Sequence, residues 1–247
     1  MSLLWRRKPL RIGLGPNKLI VSQGKPVVLQ LVDSAAEWRA AVDALPTILS
    51  SRKPKEASVV LADQLVRYAL IPFNPTLKSD EQWLALARHR FAALHGAAAA
   101  QWEVRLAETA PAGPRLACAV DRGLLEALAS TFAAAGVRLV SAQPFLAVAY
   151  NRVRETIGNG SSWLLVEEPG RLTLALVQRG AWTAIRGRRV DERWRRVLPE
   201  ILAREAAFLG LEAPCTRVIV CAQSAFDTEG YESFRLQALS YPELALA

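Results

Sequence analysis

The strongest concentration of functional side chains in this sequence is a run of arginines with interleaved tryptophans: Arg186, Arg188, Arg189, Arg193, Arg195 and Arg196, with Trp182 and Trp194. Planar guanidinium groups bind carboxylates and phosphates through paired hydrogen bonds. The run therefore predicts a docking surface for acidic protein segments or for the headgroups of an anionic membrane, assigned to Arg186, Arg188, Arg189, Arg193 and Arg196.

Two alternatives to this docking surface stay open. One is nucleic-acid binding, in which the tryptophans stack on bases. The other is a solvated helix start, in which Trp194 lies in the core. No recognition-helix or ribonucleoprotein motif is present, so nucleic acid is the least favoured partner.

Side chains for nucleophilic or metal chemistry are sparse. The two histidines, His89 and His95, fall on one predicted helix, and no Gly-x-Ser-x-Gly string occurs. The three cysteines have no metal-ligand spacing. Asp63 follows a predicted strand but has no carboxylate partner at a motif spacing. The sequence therefore predicts no catalytic residue and no metal ligand.

The bulk properties indicate a globular protein of the cell interior. The chain has 247 residues, is 51% hydrophobic and carries a formal net charge of +8. It contains no apolar run of about 18 residues, as a membrane-spanning helix requires. The few unpatterned cysteines fit a reducing compartment. The first ten residues, MSLLWRRKPL, lack the order of a secretory signal, because their charges follow a very short apolar run.

The first elements that must position these side chains are three short strands, predicted at residues 10–15, 18–22 and 26–32. A capping box of Ser34 and Glu37 predicts the start of a helix, and Pro46 predicts its end. Residues 58–62 form the next predicted strand. The order is strand, strand, strand, helix, strand.

The same order returns later in the chain. Strands are predicted at 163–166, 171–178 and 181–186, and a long helix is predicted to begin at Asp191. Pro199 inside that helix predicts a kink or an early break. Residues 218–221 form a compact apolar strand suited to the centre of a sheet. Glu167 and Glu168, at the first turn of this copy, could bind a cation, but solvent-exposed turn residues are the favoured interpretation.

Between the two copies lies a strand–helix–strand–helix stretch over residues 114–150. Asp121 is suited to cap its first helix, Gly136 to end that helix, and Pro144 to begin the next. Two strands joined by one helix form a crossover unit of a parallel or mixed sheet. We therefore expect both strands of this stretch in one sheet.

A repeated unit of this kind predicts an α/β protein with the actin-like fold, which is a duplicated ribonuclease-H-like architecture. We expect two lobes of mixed sheet with helices, the second shortened. Residues 1–157 form the predicted first lobe, with an inserted subdomain at about 58–112. Residues 158–247 form the second, truncated lobe.

Five strings carry a resemblance to a known family: VVLADQLVRYALIPF, SDEQWLALARHRFAAL, LLEALASTFAAAGVRLVSAQP, FLAVAYNR and WLLVEEPGRLTLALVQRGAW. In type and order they resemble the actin-like assembly proteins of bacterial type IV pili (the PilM type). They are also similar to the cytoplasmic domain of the type II secretion L component. The resemblance implies a groove in the first lobe that accepts a short cytoplasmic segment of an inner-membrane partner.

Actin-like ATPases hold phosphates on a glycine-rich turn after the first strand of each lobe, with an aspartate near the metal. Here the first turn reads IGLGPNKLIV, with Gly13, Gly15 and Lys18 but no aspartate. The second reads VEEPGRLTL, with two glutamates and a proline, and the late loop VIVCAQSAF has no glycine. A proline supplies no N–H group for a phosphate. The resemblance therefore implies a degenerate ATPase with no cofactor.

Three functional hypotheses follow. The first is a non-enzymatic scaffold, cytoplasmic and peripheral at the inner membrane, in a pilus or type II secretion platform. The second is a nucleotide-binding switch or weak ATPase, with Gly13, Gly15 and Lys18 as the remnant phosphate site. The third is a basic nucleic-acid-binding module. Self-association into a homo-oligomer stays open.

Overall fold

The computed structural model describes residues 9–16, 18–22, 27–31, 38–107, 113–213, 215–222, 231 and 233–240. In chain order the elements are β1 (Leu10–Leu14), β2 (Lys18–Ser22), β3 (Val27–Gln30), α1 (Arg39–Arg52), β4 (Glu56–Leu61), β5 (Val66–Ile71), α2 (Asp80–His95), β6 (Trp102–Leu106), β7 (Arg115–Asp121), α3 (Arg122–Ala134), β8 (Arg138–Pro144), α4 (Phe145–Ile157), β9 (Ser161–Glu168), β10 (Arg171–Gln178), β11 (Ala181–Arg189), α5 (Leu198–Phe208), β12 (Arg217–Ala222) and β13 (Arg235–Ser240). Short 3-10 turns precede β5, β6 and α5.

Two five-stranded sheets repeat one arrangement. The first has the order β3-β2-β1-β4-β8 and the second has the order β11-β10-β9-β12-β13. In each sheet three antiparallel strands are followed by two that run parallel to the central strand. The first lobe contains the first sheet and the second lobe the second sheet. The duplication predicted from the order of elements is confirmed.

A separate three-stranded antiparallel sheet, of order β5-β7-β6, carries α2 on one face. Because β7 lies here and β8 lies in the first five-stranded sheet, the prediction that α3 joins two strands of one sheet is wrong. Strand β4 also belongs to the five-stranded sheet, since it pairs with β1 and β8. We therefore propose that the inserted subdomain spans residues 66–121 rather than 58–112.

Helix α4 lies between the two large sheets. Its apolar side chains Phe145, Leu146, Ala149, Val153 and Ile157 are all buried. They pack in one cluster with β2 and β4 of the first sheet and with β9, β10, β11 and β12 of the second. Helices α1 and α3 cover the opposite face of the first sheet, and α5 covers the opposite face of the second. The layers therefore alternate between helix and sheet, and a shared core joins the lobes.

The predicted end of α1 at Pro46 is wrong, because the helix continues through this residue to Arg52. Its buried stripe includes Leu45 and Leu49 on either side of the proline. Burial of this stripe outweighs the loss of one backbone hydrogen bond at Pro46. Helix α1 ends at Lys53, whose φ of 45° is left-handed. The predicted capping box of Ser34 and Glu37 lies outside the described residues.

The long helix predicted from Asp191 is divided into two pieces. A 3-10 turn covers Glu192–Arg195, and α5 begins at Leu198 with Pro199 in its first turn. The early break expected from Pro199 is confirmed. Among the described residues, no helix combines the length and apolar composition needed to cross a membrane.

Candidate functional site

The last two residues of β9, Glu167 and Glu168, have their side chains on opposite faces of the second sheet. Successive side chains of a strand point to opposite faces. Glu168 therefore points towards the first lobe, and Glu167 points towards the 3-10 turn before α5. Glu168 is the last residue of β9, and the turn of Pro169 and Gly170, whose φ is 70°, leads into β10. The hairpin positions Glu168 between the lobes.

Glu168 binds backbone groups of the first lobe. Its carboxylate accepts hydrogen bonds from the N–H groups of Asp63 at 2.8 Å and Gln64 at 2.9 Å. The side-chain amide of Gln64 donates to the Pro169 carbonyl oxygen at 3.0 Å. Glu168 is 2% exposed. The expectation that Glu167 and Glu168 are solvent-exposed turn residues is wrong, because both carboxylates bind other parts of the chain.

Asp63 continues this network inward. Its Oδ1 accepts hydrogen bonds from the Tyr68 hydroxyl at 2.5 Å and from the Leu146 N–H at 3.0 Å. Leu146 lies in the first turn of α4, where a negative charge stabilises the unpaired N–H groups and the helix dipole. Asp63 is fully buried. We call Asp63, Gln64, Tyr68 and Glu168 the carboxylate cluster.

Burial dominates the electrostatics of the carboxylate cluster. Desolvation raises the pKa of Glu168 to about 8, with a further contribution from the charge of Asp63. Desolvation likewise raises the pKa of Asp63 to about 6, although its hydrogen bonds from Tyr68 and Leu146 act in the opposite direction. The guanidinium of Arg171 lowers both pKa values. The cluster therefore retains a proton at a pH where free carboxyl groups are ionised.

Gly13, Gly15 and Lys18, the predicted remnant of a phosphate site, lie on the hairpin formed by β1 and β2. Gly13 lies within β1 and pairs with Ile20 on one side and Val60 on the other. The Gly15 N–H donates to the Lys18 carbonyl oxygen at 2.9 Å. Burial lowers the pKa of Lys18, and the nearby Glu168 charge opposes that shift. Lys18 thus lies in the field of a protein carboxylate.

Within the described residues, no three His, Cys, Asp or Glu side chains are grouped so that they could hold a metal ion. The loop that follows β12, where the string VIVCAQSAF has no glycine of the kind that lies against the nucleotide in actin-like ATPases, is outside the described residues from residue 223 to 230.

The arginine run is divided among several contacts. Arg186 and Arg188 lie 3.7 and 3.1 Å from the carboxylate of Glu205 on α5. Arg193 pairs with Asp191, and Arg195 pairs with Glu167 at 2.7 Å. Arg189 and Arg196 are exposed. Three of the five arginines predicted to bind a partner, Arg186, Arg188 and Arg193, therefore have acidic partners within the chain.

Neither tryptophan of the arginine run offers a ring face to a base. Trp182 is 4% exposed and packs against Tyr150 with ring centroids 4.5 Å apart. Trp194 is 3% exposed, and its indole N–H donates to Glu167 at 3.0 Å. Stacking by these residues, on which the nucleic-acid alternative depended, is not available in this arrangement.

Sequence reasoning missed the partner of Asp63. Asp63 and Glu168 are 105 positions apart, so no motif spacing joins them. The available signal was an isolated aspartate in the apolar string VVLADQLV. A buried carboxyl group there requires hydrogen-bond donors. The identity of those donors depended on how the lobes pack.

Two sheets of the same strand order, stacked on a shared helix, define the actin-like ATPase fold. The chain is similar to a chain of the PilM–PilN type IV pilus biogenesis complex (14% identity, TM-score 0.65, covering 98% of this chain and 90% of that one). It is also similar to an actin-like ATPase-fold protein of unknown function from Bacteroides thetaiotaomicron (13%, TM-score 0.64, 97% and 95%). A third similar structure is the cytoplasmic domain of EpsL, an inner-membrane component of the Vibrio cholerae type II secretion system (12%, TM-score 0.60, 96% and 91%). No protein-family model and no curated protein sequence matches this chain.

Proposed function

We propose that this protein is a non-enzymatic scaffold of a pilus or type II secretion assembly platform, and that it docks a short cytoplasmic segment of an inner-membrane partner. The observation that supports a loss of nucleotide binding is that backbone N–H groups near the junction of the lobes already bind acceptors of the chain itself. The N–H groups of Gly15, Ala62, Asp63 and Gln64 all bind acceptors of the chain itself. A phosphate would have to displace the Glu168 carboxylate from two of them.

The similar structures support the assignment to an assembly platform. One belongs to the PilM–PilN type IV pilus biogenesis complex, and another is the cytoplasmic domain of an inner-membrane secretion component. A scaffold of this kind would be cytoplasmic and peripheral at the inner membrane. It needs a surface for the partner segment rather than a catalytic centre.

The docking surface that we propose is a recess of about 100 Å³ where the first lobe meets the three-stranded sheet. We call it the first-lobe recess, and its lining includes Trp38, Arg67, Trp102 and Leu124. Its volume suits one anchoring side chain. Beside it runs β6, which is an edge strand among the described residues. A partner segment that adds to an edge strand gains backbone hydrogen bonds, and a neighbouring pocket selects its side chain.

The nucleotide part of the proposal is tested by calorimetry of the purified chain with Mg-ATP and with ADP. We expect no heat of binding at millimolar nucleotide. Clear saturable binding would overturn the loss of nucleotide chemistry and would support a nucleotide-gated switch. Lys18→Ala would then be the first variant to make.

The docking part is tested by pull-down of the membrane subunits of the same assembly with the purified chain. Arg67→Glu reverses a charge in the first-lobe recess, and Arg88→Glu makes the same change on the exposed face of α2. We expect capture by the wild type and by Arg88→Glu but not by Arg67→Glu. Failure of the wild type to capture any membrane subunit would contradict the scaffold role, and equal capture by both variants would contradict the recess.

A further inference from the structure

A second recess lies in the second lobe, between the end of β11 and the first turns of α5. Its volume is about 480 Å³, within the range of about 300–1,000 Å³ typical of ligand-binding clefts. Its floor is apolar and is formed by Val190, Trp194, Val197 and Ile201. Val197 is 44% exposed, a large fraction for a valine next to the core. We call this site the arginine recess.

The rim of the arginine recess is basic. Arg188, Arg189 and Arg204 lie around the apolar floor. Arg188 is paired with Glu205. Arg189 and Arg204 are exposed, and neither has an acidic partner among the residues that the structure describes. The carboxylate at the rim, Asp191, is paired with Arg193. Within the described part of the chain, the recess thus presents two guanidinium groups without an acidic partner beside a hydrophobic surface.

We propose that the arginine recess binds a short acidic protein segment that inserts one aliphatic or aromatic side chain between Arg189 and Arg204. The guanidinium groups match the bidentate geometry of carboxylates, and the floor formed by Val197 and Ile201 matches an apolar anchor. This site is separate from the first-lobe recess and does not depend on the function proposed for it.

The shape of the site favours a protein segment over a lipid surface. Contact with a bilayer requires apolar side chains that project beyond their charged neighbours, whereas Trp194 and Ile201 of the floor are buried. Asp191 and Glu192, both exposed beside the site, would also face an anionic membrane. A nucleic acid gains nothing from the floor, because the ring of Trp194 is buried.

The test uses a fluorescein-labelled octapeptide in which aspartates and glutamates flank a central Leu-Phe pair. Fluorescence polarisation measures its binding to the purified full chain. A second octapeptide replaces the Leu-Phe pair by glycines, and a third replaces the acidic residues by their amides. We expect the parent peptide to bind at least about tenfold more tightly than either, because each lacks one of the two interactions.

Three variants connect binding to the arginine recess. The double variant Arg189→Ala/Arg204→Ala removes the two exposed guanidinium groups of the recess. Val197→Asp places a negative charge on the floor, which repels an acidic peptide. Arg152→Ala removes an exposed arginine on α4 and serves as the control. We expect the first two changes to weaken binding by about tenfold or more and the control to leave it unchanged. Circular dichroism establishes that each variant is folded, and the two recess variants test the site independently.

Several outcomes would overturn the proposal. They are no binding of the parent peptide, equal binding of the peptide without its Leu-Phe pair, and equal loss of binding in Arg152→Ala. Binding to phosphatidylglycerol vesicles or to duplex DNA that depends on Arg189 and Arg204, without peptide binding, would reassign the recess to those ligands.

Discussion

The carboxylate cluster predicts an unusual dependence of stability on pH. Glu168 and Asp63 both have a raised pKa in the folded protein, so the native state retains protons that the unfolded chain releases. The free energy of unfolding should therefore fall as the pH rises above the unfolded values of 4.5 and 3.8, until it passes the folded values of about 8 and about 6. Most proteins gain stability over part of this range, because their carboxylates have a lowered pKa.

The magnitude follows from the shift of Glu168. A rise from 4.5 to about 8 corresponds to about 5 kcal/mol at about 1.4 kcal/mol per pKa unit. Structural relaxation and water entry around the ionised pair reduce this cost, so we expect a loss of about 2–3 kcal/mol between about pH 5 and pH 8.

Urea unfolding monitored by tryptophan fluorescence, repeated over that pH range, measures the slope. The Glu168→Gln variant has no titrating group at this position. Its free energy of unfolding should therefore change with pH markedly less than that of the wild type. The amide offers one acceptor to the two N–H groups of Asp63 and Gln64, so the variant should be about 1–2 kcal/mol less stable than the wild type at pH 5. This difference should shrink towards pH 8, as the wild type loses more stability than the variant. Glu155→Gln removes an exposed carboxylate of α4 and should keep the wild-type slope. A wild-type stability that stays level or rises between pH 5 and 8, or a full slope in Glu168→Gln, would refute the reasoning.

Further predictions concern single side chains. Tyr68→Phe removes a hydrogen bond that lowers the pKa of Asp63, so urea titration at neutral pH should show a loss of about 1–2 kcal/mol. Phe91→Ala empties a fully buried position between α2 and its sheet and should cost about 3–5 kcal/mol in the same assay, unless the site collapses. Burial raises the pKa of Cys221 to about 12, so peptide mapping after treatment of the folded protein with a thiol reagent should find this cysteine unmodified, and modified only after unfolding. Pro46→Ala restores a helix N–H group and should raise the free energy of unfolding by about 1 kcal/mol; an unchanged melting temperature would contradict this.

The parts of the fold that depend on local chemistry could be predicted from the sequence. Apart from β13, for which no strand was predicted, the strands of both large sheets follow short apolar runs bounded by turn residues. The three-residue spacing of Ser79 and Gln82 also matches the capping box that begins α2. Asp121 also caps α3, through the Gly123 N–H. The repeated order of elements then indicated the fold.

The features that depend on tertiary packing could not be predicted. Strand β7 reads as a normal member of a crossover unit, but only its pairing with β5 and β6 assigns it to the smaller sheet. Pro46 normally ends a helix, and the burial of Leu49 beyond it is a property of the packed core. Glu168 looks like an exposed turn residue, because nothing in its neighbourhood shows that the N–H groups of Asp63 and Gln64 lie opposite. The same limit applies to the arginine recess, whose lining comes from the end of β11, the 3-10 turn and the first turns of α5.

The position of α4 between the two sheets has a mechanical consequence. The helix is wedged against β2 and β4 on one side and against β9 and β12 on the other, with Phe145 and Leu146 fully buried at its start. Prying the sheets apart would expose this apolar surface to water, so the two halves should resist separation as one stiff body. A tensile load applied at the edge of the first lobe would then be transmitted through α4 to the second lobe with little displacement of one sheet relative to the other. Under such a load, α4 would act as a rigid spacer between the sheets rather than as a hinge.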